Sequence, residues 1–147
     1  MNIKVYSREQ IEKLIEMNSL NNDAIISFYD PNDKPVVFPR TSERVFTIAL
    51  HDMYLDELEE YNLSYDTYFP EADKLADFIY KSKCDGLDII CQCEYGESRS
   101  TGCAAAISEH FFGTGISIFA HYNYYPNKLV FHKLMYALEE YKKRLNL

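Results

Sequence analysis

A chain of 147 residues with 23 acidic and 15 basic side chains has a net charge of -8 and lacks the basic footprint needed to bind nucleic acid or an anionic membrane nonspecifically. Its 47% hydrophobic and 26% charged content, with 5 Gly and 5 Pro, excludes a disordered or repetitive chain and fits one domain, residues 1–147. No stretch is long enough to span a bilayer and no signal peptide follows Met1, so the four cysteines read as reduced thiols and the cytoplasm is the expected compartment.

Ile3 to Val5 suits a short first strand. Ser7-Arg8-Glu9-Gln10 has the spacing of a capping box, and Ile11, Leu14 and Ile15 give the following helix, expected over 8–18, an apolar face. Ala24-Ile25-Ile26-Ser27-Phe28 reads as a buried strand ending in the turn Asp30-Pro31-Asn32-Asp33, and a further strand is expected over 44–50. Residues 51–68 are acidic, rich in tyrosine and without clean periodicity, which predicts a long loop with a short helix. Pro70 suits the first residue of a helix that buries Leu75, Ala76 and Ile79 and ends near Lys83. Leu87 to Gln92 is short, apolar and β-branched, the best candidate for a central strand.

From Arg99 a helix is expected, with Gly102, Cys103, Ala104, Ala105 and Ala106 small enough for close packing and Gly113 as its stop. Asn127 caps a last helix carrying Val130, Phe131, Leu134, Met135, Leu138 and Tyr141 at helical spacing and ending in Lys142-Lys143-Arg144. Strands and helices alternate, which predicts a three-layer αβα sandwich around a mostly parallel sheet. Strand order is not readable at this level.

Chemistry concentrates in Cys93-Glu94-Tyr95-Gly96-Glu97-Ser98-Arg99-Ser100, between the predicted central strand and the predicted helix. A loop that opens a helix turns several backbone N–H groups into one concavity, and the helix dipole adds positive potential, together sized for a phosphate. The same field favours a thiolate at Cys93. Arg99 supplies a planar fork for two phosphate oxygens, and Gly96 permits a close approach that a side chain blocks. Ser100 is placed to donate a hydrogen bond to the sulfur.

This Cys-x5-Arg-Ser segment resembles the signature of protein tyrosine and dual-specificity phosphatases, and small bacterial tyrosine-phosphatase-like proteins in particular. Pro126-Asn127, with Val130 and Leu134, is similar to the start of the last helix in dual-specificity enzymes. The resemblance covers the chain from about residue 88 onward. It implies a phosphatase-like fold and hydrolysis of phosphate monoesters, protein phosphotyrosine foremost, with Cys93 as nucleophile and Arg99 as clamp. Residues 94–100 form the implied substrate loop: Glu94, Tyr95, Gly96, Glu97, Ser98, Arg99 and Ser100. No metal or organic cofactor is implied, and the partner is a phosphorylated protein or peptide. The family also uses an upstream aspartate as acid. Asp52, after the strand at 44–50, takes that place first, with Asp56 second and Asp66 third.

Two features depart from the family pattern. Gln92 stands where the family usually has histidine, and Glu94 and Glu97 oppose polyanionic substrates such as inositol phospholipids. The first motivates a rival reading, a catalytically silent module that binds phosphoprotein through the same loop. Arsenate reduction or sulfur transfer on a similar loop is a third. Zinc is disfavoured because Cys84, Cys91, Cys93 and Cys103 lack paired Cys-x2-Cys knuckles. Cys91 and Cys103 are expected to pack in the core, and Tyr122, Tyr124 and Tyr125 either rim the pocket or lie partly buried against the last helix.

Overall fold

The computed structural model describes residues 1–145 and places four strands and five α-helices in the order β1 (Ile3–Tyr6), α1 (Arg8–Glu16), β2 (Ala24–Tyr29), β3 (Val45–Ala49), α2 (Ala72–Cys84), β4 (Ile89–Gln92), α3 (Arg99–Phe112), α4 (Ile116–Phe119) and α5 (Lys128–Arg144). A 3-10 helix at Leu55–Tyr61 is the short helix expected in the long loop. The short α4 has no counterpart among the sequence expectations.

All strand pairs are parallel, in the spatial order β1-β4-β2-β3. The sheet is thus wholly parallel, and β4 lies inside it with every residue buried, which is why it reads as a continuous apolar run. Alternation along the strands sends Ala24, Ile26, Phe28, Ile89 and Cys91 into the main core beneath α2, α3 and α5. Ile25 and Ile90 face the other way, against Ile11 of α1 and Val36. The result is the three-layer αβα sandwich.

Local signals set several element ends. Ser7 Oγ accepts from Gln10 N at 3.1 Å while Gln10 Oε1 accepts from Ser7 N at 2.9 Å, closing the capping box of α1. That helix stops at Glu16, short of the expected residue 18, because Asn18 turns the chain with φ of +50°. The start of α2 also needs correction. Tyr68 and Phe69 are buried in the core, and Phe69 takes φ of +59°, so the chain turns through Pro70 and the helix begins only at Ala72. Two deeply buried rings outweigh a favourable proline position.

Helix α3 carries the small residues that bring other backbone close. A Cβ on Gly102 would stand 2.5 Å from the Asn127 carbonyl oxygen, so glycine is required for the segment before α5 to cross there. Contact at that point links α5 to the loop that opens α3. Among the described residues no helix is long and apolar enough to cross a membrane.

Candidate active site

Parallel strands β4, β2 and β3 end on the same edge of the sheet, and the residues just beyond those ends converge there, as is general for open α/β sheets. Strand β4 delivers Gln92 and Cys93, β2 delivers Asp30, β3 delivers Leu50 and Asp52, and α3 begins at Arg99. The loop between Cys93 and Arg99 is fixed from outside by its carbonyls. Glu94 O accepts from Arg8 N at 3.0 Å, Glu97 O from Tyr125 N at 2.8 Å, and Ser98 O from Asn127 N at 2.9 Å. No backbone N–H of residues 94–98 donates to another group among the described residues. The carbonyls are thus engaged on the outside while the donors are unspent.

Gly96 makes that curl possible. Its φ is +67°, and a Cβ there would meet Ser7 N at 2.8 Å, so both backbone sign and space demand glycine. Tyr95 projects from the loop, 76% exposed.

The Cys93 side chain is buried, with its Sγ 3.0 Å from the Ser100 Oγ. Gln92, in the histidine position, accepts from the Ser27 hydroxyl and donates its Nε2 to the Cys93 carbonyl at 3.0 Å. Ser27 and Gln92 are cross-strand partners on the α1 face of the sheet, so a neutral amide ties the base of the loop to β2. Cys91 and Cys103 lie behind the loop in the core with their sulfurs 3.7 Å apart. Burial, then the contact with Cys91, pushes the Cys103 thiol well above its ordinary range and keeps it an inert packing group.

Arg99 is buried at the mouth of α3. Its Nη1 donates to Asp30 Oδ1 at 2.9 Å and to the Leu50 carbonyl at 2.8 Å, while its buried Nε has no partner among the described residues.

Of the three aspartates singled out in the sequence, only Asp52 is hydrogen-bonded to the loop. Its Oδ1 accepts from Ser98 Oγ at 2.6 Å and from Asn127 Nδ2 at 2.8 Å. Asp56 lies exposed in the first turn of the 3-10 helix, and Asp66 lies exposed on a turn near Lys133. Neither has a hydrogen bond to the loop. The backbone just before Asp52 is held as well: buried Tyr68 donates its hydroxyl to the His51 carbonyl, and burial, reinforced by the Asp52 charge, pushes that phenol up and keeps it a donor. Asn127 spans both sides, capping α5 through Val130 N at 2.9 Å and donating to Asp52 and to the Met53 carbonyl.

Sequence reasoning missed Asp30, Leu50, Ser27 and Tyr68. In the sequence Asp30 shows only as a turn residue. Its place at the C-terminal end of a strand parallel to β4 was the usable signal, because such ends gather at one edge. Of the tyrosines before α5, Tyr122 and Tyr125 are exposed and Tyr124 is half-buried against His121, their rings 4.2 Å apart. A groove of about 910 Å³ opens beside the loop, between α1 and residues 34–37, with Glu94, Tyr95 and Glu97 on its loop side.

No family model matches the chain, and no curated protein matches it. Solved structures do share its fold. DUSP15 superposes with a TM-score of 0.64 at 14% identity, over 99% of this chain and 90% of that one. PTPMT1 in complex with PI(5)P gives 0.56 at 13% identity, over 98% and 94%. The human tyrosine phosphatase-like serine/threonine/tyrosine-interacting protein gives 0.54 at 16% identity, over 96% and 87%. Identities this low establish a phosphatase-like fold, an α/β sandwich on a parallel sheet, and leave the chemistry to the residues.

Proposed function

We propose that this chain hydrolyses phosphate monoesters, protein phosphotyrosine foremost, through a phosphocysteine at Cys93. The observation that carries the reading is the loop itself: unspent N–H groups at residues 94–98, the Cys93 sulfur at their base, and the unpartnered Nε–H of Arg99 beside them. Such donors stabilise the charge that spreads over the equatorial oxygens during phosphoryl transfer.

In the first step the Cys93 thiolate attacks phosphorus. A sulfur–phosphorus bond forms, the ester oxygen–phosphorus bond breaks, and Asp52 gives its proton to the departing oxygen. In the second, water attacks the phosphocysteine and passes a proton to Asp52. The sulfur–phosphorus bond breaks, and its electron pair returns to the sulfur, where the Ser100 hydroxyl donates to it. Loop donors, Arg99 and Asp52 supply the charge and the proton, so no metal or organic cofactor is called for.

A phosphoprotein suits the site better than a polyanionic lipid. One structure of similar fold is in complex with PI(5)P, but here Glu94 and Glu97 border the loop and repel a headgroup carrying several phosphates. The groove beside the loop and exposed Tyr95 offer room and apolar surface for a flanking peptide. A second reading, a silent phosphoprotein-binding module, rests on Gln92, a neutral amide that holds the loop without offering a titrating group.

The test is hydrolysis of an aryl phosphate and a phosphotyrosine peptide, with EDTA and vanadate controls, by wild type, Cys93→Ser and Asp52→Asn. Turnover that survives EDTA, vanishes in Cys93→Ser and falls roughly a hundred- to ten-thousandfold in Asp52→Asn supports the enzyme and its acid. A silent wild type, with Cys93→Ser still binding the phosphopeptide, overturns the enzyme reading in favour of the module.

A further inference from the structure

We propose that Asp30 is a positioning residue for Arg99, setting which edge of the guanidinium faces the phosphate; the inference rests on the phosphate-loop reading above. Strands β2 and β3 pair in parallel with Tyr29 opposite Ala49, so Asp30 and Leu50 leave the sheet side by side. Leu50 N donates to the Tyr29 carbonyl at 3.0 Å, which locks the two strand ends together. Both reach the same atom: Nη1 of Arg99 donates to Asp30 Oδ1 at 2.9 Å and to the Leu50 carbonyl at 2.8 Å.

A guanidinium offers an oxyanion two forked edges, Nη1 with Nη2 or Nε with Nη2. Both N–H bonds of Nη1 are already used, so the end-on edge is closed. What remains is the side edge, and its Nε–H is the buried donor that lacks a partner among the described residues. Because the guanidinium is planar, two fixed bonds on Nη1 set its plane. The Arg99 side chain is 5% exposed and the Asp30 side chain 44%, so the carboxylate also offsets the cost of burying the cation while its own rim stays in water. Leu50 stands two residues before Asp52. The same nitrogen therefore ties the clamp to the root of the acid loop.

Positioning and simple charge neutralisation have opposite signs. If Asp30 merely cancels part of the Arg99 charge, removing its charge tightens phosphate binding. If it orients the fork, binding weakens. The experiment measures inorganic phosphate binding by calorimetry and aryl phosphate turnover at fixed ionic strength for wild type, Asp30→Asn, Asp30→Glu, Arg99→Lys and Asp30→Asn/Arg99→Lys. Asp30→Asn is expected to lower the melting temperature, because the buried cation loses its counter-charge, and, in the folded protein, to weaken phosphate and lower kcat/KM by about tenfold to a hundredfold. Asp30→Glu, which keeps the charge, recovers part of that loss. Arg99→Lys costs much less in the Asp30→Asn background than in wild type, because Asp30 acts through the fork. Wild-type binding together with equal or tighter binding by Asp30→Asn overturns the inference and leaves the phosphate loop standing. If wild type binds no phosphate, the phosphate-loop reading fails and this inference falls with it.

Discussion

Ser100 and Cys93 form a buried pair 3.0 Å apart, and the hydroxyl has the geometry to donate to whatever charge the sulfur carries. In the proposed mechanism that bond matters most when sulfur is the leaving group, since the thiolate then gains its full charge. Ser100→Ala is accordingly expected to slow phosphocysteine hydrolysis about tenfold to a hundredfold while sparing its formation. Stopped-flow release of an aryl alcohol checks this: a burst followed by a slow steady state is the expected trace, and an unchanged single phase contradicts it. The neighbouring pair Ser27–Gln92 shows how a polar device without a formal charge fixes the same loop. Cysteine and arginine were legible in the sequence because loop, strand and helix flanked them in order. Asp30 was not, because nothing local distinguishes an aspartate that ends a turn from one that reaches a guanidinium 69 positions away.

At the scale of elements, Asn127 joins the last helix to the loop that carries Asp52. Its Oδ1 caps α5 and its Nδ2 holds Asp52, two functions on opposite atoms of one amide. Asn127→Asp keeps the capping acceptor but replaces the donor with a like charge beside Asp52. It is expected to keep most of the capping contribution, about 1 kcal/mol, while catalysis falls about tenfold or more. Comparing melting temperature with kcat separates the two effects. Loss of both in parallel would mean that Asn127 serves the fold alone. The cap itself was legible from Asn127 and the apolar spacing after it, as was the box at Ser7 to Gln10. The starting residue of α2 was not, because it is set by where the Tyr68 and Phe69 rings find room in the core.

On the scale of the whole molecule, the stability of the α2–α3 contact is expected to depend on pH. Tyr80 Oη and His110 Nε2 are 2.6 Å apart, and burial, then the charge of Lys142, lowers the His110 pKa below its ordinary 6.5, against an opposing pull from Glu139. A depressed folded-state pKa means the unfolded chain binds the proton more readily. The stabilisation is therefore present above about pH 6.5 and is lost as pH falls through the lower folded value. Melting temperatures of wild type should drop between about pH 7.5 and pH 5, and His110→Gln should flatten that part of the curve. Net charge makes a separate prediction. With -8 overall and Glu94 and Glu97 beside the loop, phosphopeptides flanked by Lys or Arg should show a higher kcat/KM than acid-flanked ones. Raising the salt concentration should shrink that advantage. A preference for acidic peptides at low salt would contradict it.

The sequence by itself determined the alternation of strands and helices, the layered fold, the caps of α1 and α5, and the strand–loop–helix setting of Cys93 and Arg99. Each of those is written in contiguous residues through periodicity, side-chain capping or turn geometry. Only the tertiary structure decided the order β1-β4-β2-β3, the hydrogen bonds that tie Asp52 to Ser98 and Asn127, and the anchoring of Arg99 by Asp30 and Leu50. Those outcomes depend on which strand ends share one edge of the sheet. Parallel pairing over crossovers sets that, and no short segment encodes it.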